Sequence, residues 1–241
     1  VTHRAINQLN FEVNKGEFVS VMGPSGSGKT TLLNLISTID SPTSGTMTID
    51  GLCPEEMTKN ELAIFRRRQL GFVFQDFNLL QMLTVEENLV LPLTLDGHSI
   101  DEMKKRITDI AKKLDLDEIL EKRPNEISGG QAQRTAIGRA LIHQPMFILA
   151  DEPTGNLDSK ASRDVLELLT KINREQKTTI LMVTHDPIAA SYCDRVIFIK
   201  DGEFFNEIYS ADRRQTFFQR ILNVLSLLGG NVNDLSTIRL S

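Results

Sequence analysis

Apolar positions along this chain come in short alternating or continuous runs, and these runs take turns with stretches of helical spacing. Residues 10–14 (Asn-Phe-Glu-Val-Asn) alternate and stop at Lys15-Gly16, which predicts a strand. The apolar run Phe18-Val19-Ser20-Val21-Met22 predicts a second strand, and Thr31-Leu32-Leu33-Asn34-Leu35-Ile36 reads as helix. Residues 42–45 form a turn, and Thr46-Met47-Thr48-Ile49 a short strand ending at Asp50-Gly51. Residues 60–70 predict a helix whose Arg66-Arg67-Arg68 run is expected to be a solvated face; the strand Gly71-Phe72-Val73-Phe74 then delivers Gln75 to a loop.

The middle of the chain changes rhythm. Thr84 with Glu87, and Ser99 with Glu102, have the spacing of capping boxes that open helices. Met103, Ile107, Ile110, Ala111 and Leu114 continue the second at helical spacing. From about residue 76 to 127 the pattern predicts helices and no strand, a helical insertion into an α/β core. Strands then return at 146–150, ending in Asp151-Glu152, and at 179–183, ending in Thr184-His185, with a helix from Ser159 to about Glu175 between them. Residues 195–200 and 203–208 flank Asp201-Gly202, a strong hairpin signal. Strands alternating with helices imply a mostly parallel sheet that binds ligands at the carboxyl ends of its strands. Asp151, Glu152 and His185 all fall at such ends.

The stretch Gly23-Pro24-Ser25-Gly26-Ser27-Gly28-Lys29-Thr30 lies between the second strand and the first helix. A G-x-x-x-x-G-K-[ST] string in that setting aims consecutive backbone N–H groups at an anion on a helix N-terminus. Lys29 then reaches the β- and γ-phosphates, and the Thr30 hydroxyl is suited to Mg²⁺. Asp151 is suited to hold the same ion, and Glu152 to accept a proton from an attacking water. This is a nucleoside-triphosphate site.

Composition narrows the class without changing the picture. The 241 residues are 40% hydrophobic and 24% charged, ordinary for a globular protein, and allow one large domain or a domain with a subdomain. A formal charge of −5 argues against nucleic acid as the main partner. Cys53 and Cys193 have no metal or framework spacing and are expected to be reduced cytosolic thiols. No apolar run approaches the ~20 residues that span a bilayer, and no signal peptide is visible. Because residue 1 is Val, the natural start is expected upstream.

The string Ile127-Ser128-Gly129-Gly130-Gln131 precedes Asp151. With the loop at 23–30, Gln75, Asp151-Glu152, Leu157-Asp158 and His185 in this order, the chain resembles the ATP-binding subunit of ABC transporters over about residues 5–208. The resemblance implies a P-loop NTPase (RecA-like) α/β core with a mostly parallel sheet, N-terminal antiparallel strands and an inserted helical subdomain. The division it implies is an ATP-binding core of 1–75 and 134–209, a helical signature subdomain of 76–133 and a C-terminal extension of 210–241. It further implies that the loop amides, Lys29, Thr30 and Thr31 bind ATP, with Thr30, Gln75 and Asp151 around Mg²⁺. Glu152 is implied as general base, and His185 as a contact to the γ-phosphate. Ser128-Gly129-Gly130-Gln131 and Asp158 are implied to act across a head-to-tail homodimer that encloses two ATP molecules; nothing else in their own subunit is expected to explain the first string. In the sequence, Gly155-Asn156 replaces the commoner small pair before Leu157, and Ile127 stands where Leu is usual. The family's adenine-stacking aromatic lies upstream of the first strand and is not found here.

Between the motifs the chain looks like the subfamily serving long-loop permeases: lipoprotein-release, macrolide-export and peptide-antibiotic systems. Residues 183–202 and a C-terminal extension opening at Asp212-Arg213-Arg214 look most like the bacitracin-resistance (Bce-type) ATPases of Gram-positive bacteria. The implied partners are a second copy of the chain and a permease with a large extracellular domain, through which a sensor histidine kinase is reached. The implied place is the cytoplasmic face of the bacterial plasma membrane. The alternative is the ATPase of a lipoprotein-release, macrolide-export or cell-division (signalling) complex. A soluble repair or translation ATPase would need a coiled-coil insertion or a second cassette, and 241 residues hold neither. In the extension, Phe217, Phe218, Ile221, Leu222, Leu225 and Leu228 share a helical face, expected either to pack on the chain's own core or to meet the permease or partner subunit.

Overall fold

The structure, a computed structural model, describes residues 5–210 and 213–229. Its centre is one six-stranded sheet in the order β2-β3-β4-β1-β5-β6. The strands are β1 (Phe18–Met22), β2 (Leu70–Val73), β3 (Phe147–Asp151), β4 (Thr179–Val183), β5 (Arg195–Lys200) and β6 (Glu203–Tyr209). The first five pair in parallel; β6 returns antiparallel to β5 through Asp201-Gly202, both at positive φ as a tight hairpin turn requires. Every residue of β1 is buried, as are all but one each of β3, β4 and β5, which is why these strands read as continuous apolar runs.

Helices cover both faces. On one side α3 (Val85–Leu95), α4 (Ile100–Lys113), α5 (Gly129–Leu141) and α6 (Ser159–Gln176) bury Leu89, Leu93, Ile107, Ile137, Leu166 and Leu169 against the sheet and each other. On the other side α1 (Lys29–Ile36) and α2 (Lys59–Gln69) bury Leu32, Leu33 and Phe65. Gly138 of α5 lies where an added Cβ would sit 2.6 Å from a Leu89 methyl and 2.8 Å from one of Leu114, so this helix approaches its neighbours more closely than a side chain allows. Among the described residues no strand lies between β2 and β3, as the sequence predicts.

The expected N-terminal antiparallel strands do not form ladders. Residues 10–14 run as extended coil, and of 46–49 only one bridge, Ile49 to Leu52, remains. Alternation predicts which side chains are buried, and Phe11 and Val13 do pack against the core; a ladder also needs backbone pairing, and among the described residues this segment pairs with no strand. Instead Arg195 holds this segment, one guanidinium N–H donating to the carbonyl of Glu12. The same guanidinium donates to Glu17 Oε2 at 3.1 Å and to Glu207 Oε2 at 3.0 Å, with its side chain only 5% exposed. Replacing Arg195 by Met therefore takes the cation from two carboxylates. We expect a loss of about 3 kcal/mol in urea unfolding, the low end for a broken buried ion pair because Glu207 stays in contact with water.

Two further expectations shift. Arg66-Arg67-Arg68 is a solvated face only at Arg68: Arg66 donates to the Thr38 carbonyl after α1, while Arg67 donates to that of Leu95 and the exposed Arg68 to Asp96, tying α2 to the end of α3. Ser99 caps α4, but the reciprocal half of its capping box is missing, because the Glu102 carboxylate is held by His98 and Arg106. At the C-terminus α8 (Arg214–Leu228) buries Phe217, Ile221, Val224 and Leu228 against Met22, Val196, Phe198 and Ile208. The predicted face packs on the chain's own core, rotated so that Val224 goes inside and Phe218 and Leu222 are half-buried. Asp212, where the predicted extension opens, and its residues 230–241 lie outside the described residues.

Candidate functional site

Residues 23–28 form the turn from β1 into α1, and glycine is dictated at both ends of it. An added Cβ on Gly23 would sit 2.2 Å from the Ile199 carbonyl oxygen, and one on Gly28 2.4 Å from that of Ala5. Gly26 and Gly28 have φ of 80° and 95°, left-handed values that only glycine adopts at little cost. A Cβ on Gly26 would meet nothing, so there the requirement is backbone shape alone. Pro24 and Ser25 are exposed on the loop, and the Gly202 N–H braces it by donating to the Ser27 carbonyl at 3.2 Å.

Lys29 opens α1 and folds back over the loop, its ammonium donating to the Gly23 and Pro24 carbonyls at 2.8 Å each. Burial lowers its pKa, opposed by the charges of Glu152 and Asp151. Thr30 beside it is exposed and Thr31 half-buried on the same first turn. Asp151 ends β3, and its carboxyl is held above the usual value by burial and the Glu152 charge, with Lys29 pulling the other way. The sheet order sets β3, β4 and β1 side by side, so Lys29, Asp151, Glu152 and His185 converge at one carboxyl edge.

Glu152 has φ 45°, a left-handed value uncommon for a residue with a side chain. Its N–H donates to the Val183 carbonyl, which turns the carboxylate toward the end of β4. There Oε2 accepts from the Thr184 hydroxyl at 3.0 Å, and Oε1 from the His185 N–H at 3.0 Å, with His185 Nδ1 at 2.8 Å.

Gln75 follows β2 and is exposed, its Nε2 donating to Asn156 Oδ1 at 3.2 Å. Asn156 answers with its own amide, donating to the Gln75 carbonyl and to Asp76 Oδ1. Gly155 is required beside it, since a Cβ there would lie 2.8 Å from Gln75 Nε2. The unusual Gly155-Asn156 pair is thus a clasp on the Gln75 loop.

None of the described hydrogen bonds links the 128–131 string to the phosphate loop. Ser128 caps α5 and forms a capping box with Gln131, and a Cβ on Gly130 would meet Ala161 of α6 at 3.2 Å. Contrary to expectation, Gly130 and Gln131 therefore have reasons within their own subunit. Ser128 and Gly129 are exposed at the helix start. Asp158 caps α6, accepting from the Lys160 and Ala161 N–H groups at 2.9 Å.

Three participants escape the motif reading: Thr184, Asn156 and Gln133. The buried Gln133 side chain donates to the Pro153 carbonyl at 2.6 Å and reaches that of Phe74 at 3.4 Å, joining α5 to the loops after β2 and β3. Its signal in the sequence is a glutamine on the small, apolar face made by Ala132, Ala136 and Ile137. Among the described residues no three His, Cys, Asp or Glu side chains cluster as a metal cage. One carboxylate, a threonine hydroxyl and a carboxamide oxygen are hard donors, a sparse set that suits Mg²⁺ shared with substrate phosphates and water.

A family model described as ABC transporter matches residues 6–155. The chain is 60% identical over 240 residues to the ABC transporter ATP-binding protein YxdL of Bacillus subtilis, covering all of this chain and 93% of that protein. It is 50% identical over 227 residues to the bacitracin export ATP-binding protein BceA of Halalkalibacterium halodurans, covering 94% and 90%. Among solved structures it is similar to the ATP-binding cassette MJ0796 of Methanocaldococcus jannaschii, a dimer in a post-hydrolysis state bound to ADP and Pi. That likeness has a TM-score of 0.78 and 43% identity, over 87% of this chain and 92% of that one.

Proposed function

This chain belongs to the ABC transporter family as an ATP-binding, ATP-hydrolysing subunit, and from that premise we propose that it drives a permease in resistance to bacitracin-like peptides. The observation that carries the peptide assignment is the 50% identity to a bacitracin export subunit over 94% of the chain.

In this reading the amides of residues 23–28 and the Lys29 ammonium hold the β- and γ-phosphates of ATP. Thr30, Gln75 and Asp151 would hold Mg²⁺, which when bound neutralises charge on those phosphates. Glu152 takes a proton from water as the water oxygen bonds to the γ-phosphorus and the bond to the ADP oxygen breaks. The leaving ADP keeps the electron pair, and His185 steadies the γ-phosphate.

Ser128, Gly129, Gly130, Gln131 and Asp158 serve the ATP of a second copy placed head to tail. The dimeric MJ0796 cassette supports this arrangement, as does the exposure of Ser128 and Gly129 at a helix N-terminus. We further divide the chain into a core (1–75, 134–209), a helical unit (76–133) and an extension (210–241). Among the described residues no helix is long and apolar enough to cross a membrane. We place the chain at the cytoplasmic face of the plasma membrane, held by a permease with a large extracellular domain that also addresses a sensor kinase.

The test is the susceptibility of the host to cell-wall peptides after deletion of this gene. We expect deletion to raise susceptibility to bacitracin-like peptides, with the wild-type gene restoring resistance and Glu152→Gln failing to. Unchanged susceptibility across a broad panel would overturn the peptide assignment in favour of lipoprotein release, macrolide export or cell-division signalling, and would leave the ATPase reading intact.

A further inference from the structure

Among the described residues, Thr184 is the one side chain that is hydrogen-bonded to the Glu152 carboxylate and is itself fully buried. Its hydroxyl has a fixed polarity. The Asp186 N–H donates to Thr184 Oγ1 at 3.0 Å, and Asp186 is in turn held by the Ile188 N–H at the start of α7 (Pro187–Ala190). With that acceptor position taken and no exposure to water, the hydroxyl proton is directed to Glu152 Oε2, 3.0 Å away.

The other oxygen has a different surrounding. Oε1 accepts from the backbone N–H of His185 and faces the His185 ring, whose side chain is 75% exposed against 15% for Glu152. A carboxylate offers about four acceptor positions, and three groups approach this one. Only the imidazole can leave without disturbing the fold, because the other two belong to a buried side chain and the backbone.

We propose that Thr184 is the positioning residue of the hydrolytic site: it anchors Oε2 of Glu152 and thereby makes Oε1 the oxygen that takes the proton of the attacking water. This rests on the reading of Glu152 as the base. When the His185 ring swings from Oε1 toward the γ-phosphate, Oε1 is freed while Thr184 and the His185 N–H keep the carboxylate from rotating. The water proton passes to Oε1, the water oxygen bonds to phosphorus, and ADP departs with the electron pair of the broken bond.

The test uses the purified full-length chain and four variants: Thr184→Val, Thr184→Ser, Glu152→Gln, and Thr184→Val combined with Glu152→Gln. Phosphate release gives kcat and KM, and binding of a non-hydrolysable ATP analogue gives ground-state affinity. We expect Thr184→Val to lower kcat by about 10- to 100-fold, the scale of a misplaced catalytic group. KM and analogue affinity should stay within about twofold, since a residue acting only through the base leaves ground-state binding alone. Thr184→Ser should restore most of the rate, and Thr184→Val should cost nothing further once Glu152 is Gln. A valine variant as fast as the parent, a serine variant as slow as valine, or an added loss in the Glu152→Gln background would each overturn the proposal. If Glu152→Gln itself retains full activity, the base reading falls and this inference with it. Should Thr184→Val fail to fold, Thr184→Ala removes the same hydroxyl with less bulk and is judged by the same readings.

Discussion

Glu152→Gln is expected to cut ATP turnover by about 10²–10⁴-fold, the usual worth of a general base, or roughly 3–5 kcal/mol of barrier. ATP should remain bound. The reason lies in how the carboxylate is held. Glutamine keeps the length and one acceptor oxygen, so the bond from the His185 N–H survives and the left-handed turn after β3 is not asked to change. The protein loses the carboxylate that points to the end of β4 and takes up the proton in the proposed scheme. The Lys29 loop, which binds phosphate in the proposed scheme, is untouched. Binding without turnover should accumulate the ATP-bound dimer, visible as an ATP-dependent doubling of mass in sedimentation while phosphate release stays near background. A variant that turns over ATP at the parent rate would remove Glu152 from the chemistry.

The contrast between Lys29 and Thr184 shows what the sequence makes legible. Lys29 stands in a string whose spacing has a physical purpose, so its neighbourhood could be read from the residue order alone. The buried strands were equally plain: residues 179–183 were predicted and found as β4, and the hairpin at Asp201-Gly202 has the positive φ values its residues suggest. Local chemistry was enough in each case.

Thr184, Asn156 and Gln133 depend on contacts between segments remote in sequence, and no local rule announces them. Asn156 grips a loop 81 residues away, and Gln133 a carbonyl 20 residues on. The N-terminal segment failed for a related reason. Its alternation correctly predicted that Phe11 and Val13 face the core, yet pairing depends on an available edge, and β1 is already flanked by β4 and β5. The Arg66-Arg67-Arg68 run misled because charge on a helix usually means solvent, whereas here the end of α3 supplies Leu95 and Asp96 as acceptors. Gly130 shows the opposite limit. A residue type expected to serve only a partner's nucleotide also lets α5 close on Ala161 of α6.

Lys29→Ala is expected to act earlier in the cycle and to abolish useful ATP binding, weakening it by about 10²-fold or more, the usual result of truncating one partner of a desolvated charge pair. The ammonium is half-buried, hydrogen-bonded to two loop carbonyls and close enough to Asp151 and Glu152 to feel both charges. A triphosphate entering the loop carries several negative charges toward two carboxylates, and Lys29 is the cation that stands between them. Without it the Asp151 carboxyl, already held above its usual value by burial and by Glu152, loses its one opposing influence and moves further up. The fold should survive, since the loop is braced from outside by Ile199, Gly202 and Ala5. Calorimetric titration with a non-hydrolysable analogue, beside a thermal unfolding curve matching the parent, separates lost binding from lost structure. Tight binding by a folded Lys29→Ala variant would mean that the backbone amides alone hold the phosphates, and the role given to the ammonium would have to be withdrawn.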